Sequence, residues 1–208
     1  MGVFIIAAFF CIISKTEQKE MKISAVSEKS ENITAVTEEE KVTSEAGQAL
    51  FEEATELDNS YSGTIGLVLL NKSTNESIEI NADTVFTSAS LYKLYVTYAI
   101  LSEVDKGNLT LDTAISNQTN ATIDSYLRDT ITLSVNETAI ALAEILGWDV
   151  IEEFVQENGF AETTFNTTIE NGIAVRGTLQ TTPRNVMDLL NRLMEGTLLS
   201  ETSTDYFI

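Results

Sequence analysis

Between Thr84 and Leu101 the chain reads TVFTSASLYKLYVTYAIL, eighteen mostly apolar residues that carry a single charge, Lys93. A segment of this length and composition is a core helix, so whatever folds around it has to accommodate one amine in apolar surroundings. No covalent staple assists. The single cysteine, Cys11, can form neither an internal disulfide nor a multi-thiolate metal site, and stability rests on a packed core. Hydrophobic residues fill 43% of the 208 positions, enough for one or at most two compact domains.

Histidine is absent. That excludes Ser-His-Asp and Cys-His relays, His-ligated zinc or iron, and an imidazole base near neutral pH. Catalysis by this chain has to run on Ser, Lys, Asp, Glu or Tyr, and no metal or cofactor is implied. The charge is lopsided, with 12 Lys+Arg against 32 Asp+Glu for a net −20. Such a surface repels phosphate backbones and anionic lipid, which argues against nucleic acid and against an anionic membrane surface as partners. After residue 60 only seven basic side chains remain: Lys72, Lys93, Lys106, Arg128, Arg176, Arg184 and Arg192.

Composition divides the chain into three stretches. Residues 1–14 hold the apolar run VFIIAAFFCIIS, too short to cross about 30 Å of hydrocarbon but suited to the apolar part of a secretory signal. Lipidation of Cys11 as an anchor and a buried apolar terminal segment are the other two readings. Residues 15–45 are rich in Glu, Lys, Ser and Thr without apolar period and read as an acidic disordered tether. Residues 46–208 read as the folded domain. An extracytoplasmic protein, secreted or tethered, is expected, touching a membrane only through its N-terminus. Asn-X-Ser/Thr triplets at Asn32, Asn71, Asn75, Asn108, Asn117, Asn120, Asn136 and Asn166 fit an exported chain, or an Asn- and Thr-rich composition that generates them by chance.

Within the domain, residues 46–57 are helix-like, and 62–70 with 77–80 form a hairpin across a polar turn. Helices are expected over 88–106, 134–146, 150–158 and 183–194, the last opened by Thr181-Thr182-Pro183. Ser90 and Lys93 stand at i and i+3 on the second of these helical segments, so hydroxyl and amine share a face. Two readings follow: Lys93 snorkels to solvent from an ordinary core helix, or its desolvated neutral amine takes a proton from Ser90.

Two further elements come in order. Ser134-Val135-Asn136 precedes the apolar stretch IALAEILG, and Thr181-Thr182-Pro183-Arg184 opens the last helix. The ordered set, over residues 46–208, resembles class A β-lactamases and their serine-peptidase relatives. The resemblance implies an α+β fold of the β-lactamase/transpeptidase kind, an all-helical domain plus an αβα sheet domain. It also implies a serine hydrolase that opens a β-lactam amide through a Ser90 acyl-enzyme. Lys93 would accept or relay the serine proton, Ser134 would pass a proton to the leaving nitrogen, and Asn136 would hold the substrate's side-chain amide. The Ser90 N–H would supply one oxyanion donor.

The departures matter as much. Val135 stands where the family usually has Asp. The deacylating glutamate falls at Glu162 by one count and at Glu170 by another, with Glu170 preferred; without it the protein would acylate and stall. No Lys-Thr/Ser-Gly tripeptide occurs in the 208 residues. The chain is therefore expected to be a C-terminally incomplete member of the family, lacking the closing strands. The expected partner is a small β-lactam or a peptidoglycan-like peptide as substrate, and the protein is expected to be a monomer. A D-Ala-D-Ala peptidase or esterase, a penicillin-binding protein, and a surface protein that has lost the chemistry are the alternatives.

Overall fold

The computed structural model describes residues 44–115 and 121–208, together with the backbone of residues 4–11, and the chain divides between Ala82 and Asp83 into two units. The expected tether over 15–45 lies outside the described residues except for Ser44 and Glu45.

In the first unit, β1 (Phe4–Cys11), β2 (Thr64–Asn71) and β3 (Glu76–Ile80) form an antiparallel sheet in that order, and α1 (Glu45–Ser60) packs on β3. The sequence TIGLVLLN is apolar on both faces, which suits β2 to the centre of a sheet. Its turn to β3 closes through Asn75 N–H to the Asn71 carbonyl at 2.7 Å, with Asn75 at φ 59°, a conformation Asn tolerates. Ser44 caps α1 by accepting from Gly47 N–H at 3.0 Å. Both its own N–H and its hydroxyl donate to the Glu76 carboxylate at 2.7 Å, which ties the helix start to the sheet. Within the stretch read from sequence as a signal or anchor segment, Phe4–Cys11 pairs along all of β2, from Phe4 opposite Asn71 to Cys11 opposite Thr64. An apolar run rich in Ile and Phe matches an open strand edge as well as it matches a leader.

The second unit is built around α2 (Tyr92–Asp105), entered through β4 (Phe86–Thr87) and a 3-10 turn over Ala89–Leu91. Every residue from Tyr95 to Leu101 is buried, so α2 hides all its faces, as a central helix must. Around it stand α3 (Ile123–Thr132), α4 (Asn136–Leu146), α5 (Trp148–Glu157) and, further along the chain, α7 (Glu201–Phe207). Between α5 and α7 come the hairpin β5 (Thr168–Glu170) and β6 (Ile173–Val175), then β7 (Gln180–Thr181), which pairs with β4, and α6 (Pro183–Met194). Pro183 sits in the first turn of α6 and Thr182 caps it, as the sequence predicts.

Two helices were not anticipated. The segment IDSYLRDTIT is poor in strong helix formers, yet Ile123, Tyr126, Leu127 and Thr130 are all buried at i, i+3, i+4 and i+7. Packing on α2 outweighs propensity there. The short α7 is pinned at its start by Asp105, which accepts from Ser200 N–H at 2.7 Å and from the Ser200 and Ser203 hydroxyls at 2.6 Å.

Polar clamps hold the segment between α5 and α6. Glu152 accepts from the N–H groups of Phe165 (3.0 Å), Asn166 (3.2 Å) and Thr167 (3.1 Å) and from the Thr164 hydroxyl. Burial alone would raise its pKa, but these donors outweigh burial and hold the carboxyl below its ordinary value. Deeper in, Tyr95 Oη lies 3.0 Å from Thr181 Oγ1, which lies 2.8 Å from Thr163 Oγ1. The Asn185 amide closes the group, its oxygen accepting from Thr163 N–H (3.1 Å) and its nitrogen donating to Glu162 Oε2 (3.2 Å). Burial pushes the Tyr95 hydroxyl up to about 12, against the hydrogen bonds from this group, which lower it.

Two outcomes follow from these clamps. Glu152→Gln should lower stability by about 1–3 kcal/mol at neutral pH, read by urea unfolding. Because the folded carboxyl is the stronger acid, its contribution is present at neutral pH and is lost as pH falls through the folded pKa, so the variant should lose less stability in acid than the parent. Thr181→Val should cost about 1–3 kcal/mol by removing a buried partner of both the Tyr95 and the Thr163 hydroxyls, and adding Tyr95→Phe should restore part of that loss.

Candidate active site

Ser90 lies in the 3-10 turn that opens α2, its side chain exposed, while Lys93 one turn on is 2% exposed. The turn begins at Ala89 with φ 46°, a left-handed conformation that costs a non-glycine residue about 1–3 kcal/mol. The site therefore holds stored backbone strain directly before its exposed hydroxyl. Ser90 N–H falls in the first turn, where no helical carbonyl precedes it, so it is free to face a developing negative charge.

Lys93 Nζ is the hub. It donates to the Ser134 carbonyl at 2.5 Å, to the Ser134 hydroxyl at 2.9 Å and to the Ser90 hydroxyl at 3.4 Å. Ser134 occupies the corner between α3 and α4 with φ 55°, and this left-handed turn directs both of its oxygens to one amine. Burial lowers the Lys93 pKa, and the Glu137 carboxylate partly opposes that by favouring the ammonium. At 2% exposure Lys93 does not snorkel to solvent.

Asn136 and Glu137 are the first residues of α4, both exposed. The corner that carries them is braced without a carboxylate at position 135. Val135 N–H donates to the Asp129 carbonyl at 3.1 Å, and Thr138 Oγ1, 2.9 Å from Thr130 Oγ1, donates to the Val135 carbonyl at 3.2 Å. Two buried threonines do the bracing in its place.

Glu162 and Glu170, the two glutamates reached by motif counting, have different surroundings. Glu162 accepts from the Asn185 amide. Glu170 is exposed on β5, opposite Ile173, and no hydrogen bond or ion pair among the described residues joins it to Ser90, Lys93 or Ser134. The carboxylate whose field reaches Lys93 is Glu137, and it reaches Tyr92 as well. Sequence reasoning passed over Glu137, although its place three residues after Ser134 was a usable signal.

An aromatic wall flanks the cluster. The Tyr92 ring lies 5.8 Å from Lys93 Nζ and 6.1 Å from the ring of Trp148, which opens α5. Phe165 meets Trp148 edge-on at 5.6 Å, and the Arg176 guanidinium lies over the Trp148 ring at 5.2 Å. Burial raises the Tyr92 hydroxyl, Arg176 opposes this and Glu137 adds to it. Gly147 at φ 99° makes the break between α4 and α5 that places Trp148 here; a Cβ there would lie 2.9 Å from Asp149 Oδ1. Among the described residues, no group of three or more His, Cys, Asp or Glu side chains could hold a metal ion.

The chain is similar in sequence and fold to known proteins. The chain is 28% identical to the β-lactamase VEB-1 of Pseudomonas aeruginosa over 47% of its own length, and it spans 40% of the length of that relative. The ancestral class A β-lactamase reconstructed for the last common ancestor of Gram-negative bacteria superposes with a TM-score of 0.67 at 26% identity, covering 76% of this chain and 69% of that one. A β-lactamase from Chitinophaga pinensis shares the fold at 19% identity, with a TM-score of 0.64 over 74% of this chain and 66% of the other. The α+β fold of the class A β-lactamase kind, implied by the motifs, is the fold observed. The family description that matches residues 48–208 is that of the beta-lactamase enzyme family, and it is to this family that the chain belongs.

Proposed function

We propose that Ser90 is the nucleophile of a serine hydrolase that opens a β-lactam amide through an acyl-enzyme. The observation that carries the reading is the buried Lys93 amine, held below its ordinary pKa and shared between the Ser90 and Ser134 hydroxyls. In the neutral form it takes the Ser90 proton as Oγ attacks the carbonyl carbon, and the Ser90 N–H faces the oxyanion. The carbon–nitrogen bond then breaks, and the proton passes through Ser134 to the leaving nitrogen. Asn136, on the first turn of α4, holds the substrate's side-chain amide.

Hydrolysis of the ester is the second half of the reaction, and Glu170 is the carboxylate that the motif pattern offers for it. Its place on an exposed strand, unbonded to the cluster, favours a second reading in which the acyl-enzyme accumulates, as on a penicillin-binding protein.

Incubating the full chain with a fluorescent penicillin should give a one-to-one adduct at Ser90 by mass spectrometry. Absence of any adduct would overturn the proposal. Lys93→Ala should slow adduct formation by about 10²–10⁴-fold. Glu170→Gln should prolong the adduct if that carboxylate activates water, and leave its lifetime unchanged on the second reading.

The pH profile has a fixed sign. The reactive form is the neutral amine, so acylation should rise with pH, with its ascending limb below the value of about 10.4 for a free lysine. Glu137→Gln removes a charge that stabilises the ammonium, and it should move that limb to still lower pH.

A further inference from the structure

The second unit holds six cations, and five of them are committed. Lys106 pairs with Glu103 at 2.7 Å, Arg128 with Asp124 at 3.1 Å and Arg184 with Asp83 at 2.6 Å. Arg192 donates to the Asn158 carbonyl at 2.7 Å, and Lys93 is the hub of the candidate site. Arg176 alone makes no hydrogen bond or ion pair among the described residues. It is exposed, yet its guanidinium is held over the Trp148 ring at 5.2 Å, on the wall that continues through Tyr92 to Lys93.

In a chain of net charge −20, an unpaired guanidinium on the aromatic wall that leads to Lys93, close enough for its field to reach Tyr92, is unusual. Such a surface repels anionic small molecules. That repulsion is screened beyond about 8 Å at physiological ionic strength, so the charge within a Debye length of the site decides what the site accepts. Its place over the indole restrains the guanidinium before any ligand arrives, and the fork of donors on an arginine matches a carboxylate bidentately. Exposed Val175 precedes Arg176 and shares one face of the hairpin with exposed Ile173, an apolar patch next along the chain from the cation.

We propose that Arg176 is a specificity-determining residue that selects substrates bearing a carboxylate next to an aryl or alkyl group in their acyl portion. The proposal rests on Ser90 as the reacting centre, but its test does not. Trp148 is the single tryptophan of the chain, so its fluorescence reports ligand at Arg176 with or without chemistry.

The full-length Ser90→Ala chain is titrated with benzylpenicillin and with its α-carboxy derivative while Trp148 emission is followed. The α-carboxy compound should bind about tenfold or more tightly, and its advantage should fall as salt is raised. Arg176→Gln should remove the preference, and Arg176→Lys should keep only part of it, because an ammonium lacks the bidentate fork. Equal affinity for the two compounds, or a preference that survives Arg176→Gln, would overturn the proposal. A preference seen here together with no Ser90 adduct in the parent chain would leave Arg176 assigned and remove the nucleophile instead.

Discussion

The Lys93 amine sits inside the second unit, and the remaining geometry of the site follows from how that charge is accommodated. Taking an ammonium out of water costs several kcal/mol unless oxygen atoms replace its hydration shell. Ser134 supplies two of them, its carbonyl and its hydroxyl, across 41 residues of sequence. One contact thereby anchors the α3–α4 corner to α2, holds Ser134 in a left-handed turn and leaves Ser90 in front of the same amine. The residual desolvation that Ser134 does not offset is what lowers the pKa, so the bonds that stabilise the fold and the bias toward a reactive base belong to one interaction.

Much of this was legible in the sequence because it is local. Ser90 and Lys93 are one helical turn apart, and Pro183 after Thr182 marks a helix start in any context. The long-range terms were not legible. That Lys93 bonds Ser134 more closely than Ser90, that Trp148 faces Tyr92, and that Arg176 lies on Trp148 all depend on packing between segments distant in sequence. The helix at 123–132 was missed for the same reason, since its β-branched residues read as non-helical until α2 is beside them. The β5–β6 hairpin is a different case: Asn171-Gly172, at φ 53° and 80°, is a two-residue turn signal flanked by TIE and IAV, and it was readable from sequence.

Electrostatics in this chain works by exception. Against an excess of carboxylates, most cations are spent on capping or pairing, and such exposed pairs contribute little to stability. The charges that matter are those whose surroundings differ: Lys93, where burial favours the neutral form, Glu137, whose field opposes that, and Glu152, where backbone donors favour the charged form. Glu137 and Glu152 have the same chemistry, but one is solvated and reaches the amine only through space, whereas the other is bound directly and holds a loop.

The base of that loop is zipped shut. Thr164 and Gln180 exchange backbone bonds at 3.0 and 2.8 Å, Gly177 N–H donates to the Phe165 carbonyl at 2.8 Å, and the Asn166 side chain donates to the Thr178 carbonyl at 2.6 Å. Gly177 permits this closeness, since a Cβ there would stand 2.9 Å from the Asn166 carbonyl oxygen. Everything between, residues 168–175, hangs from a fixed frame as a cassette. Doubling such a loop costs only about 0.6 kcal/mol in closure entropy. A change in its length therefore costs the frame and the core beneath it little stability, so this cassette can be altered to tune what the site accepts without rebuilding the fold.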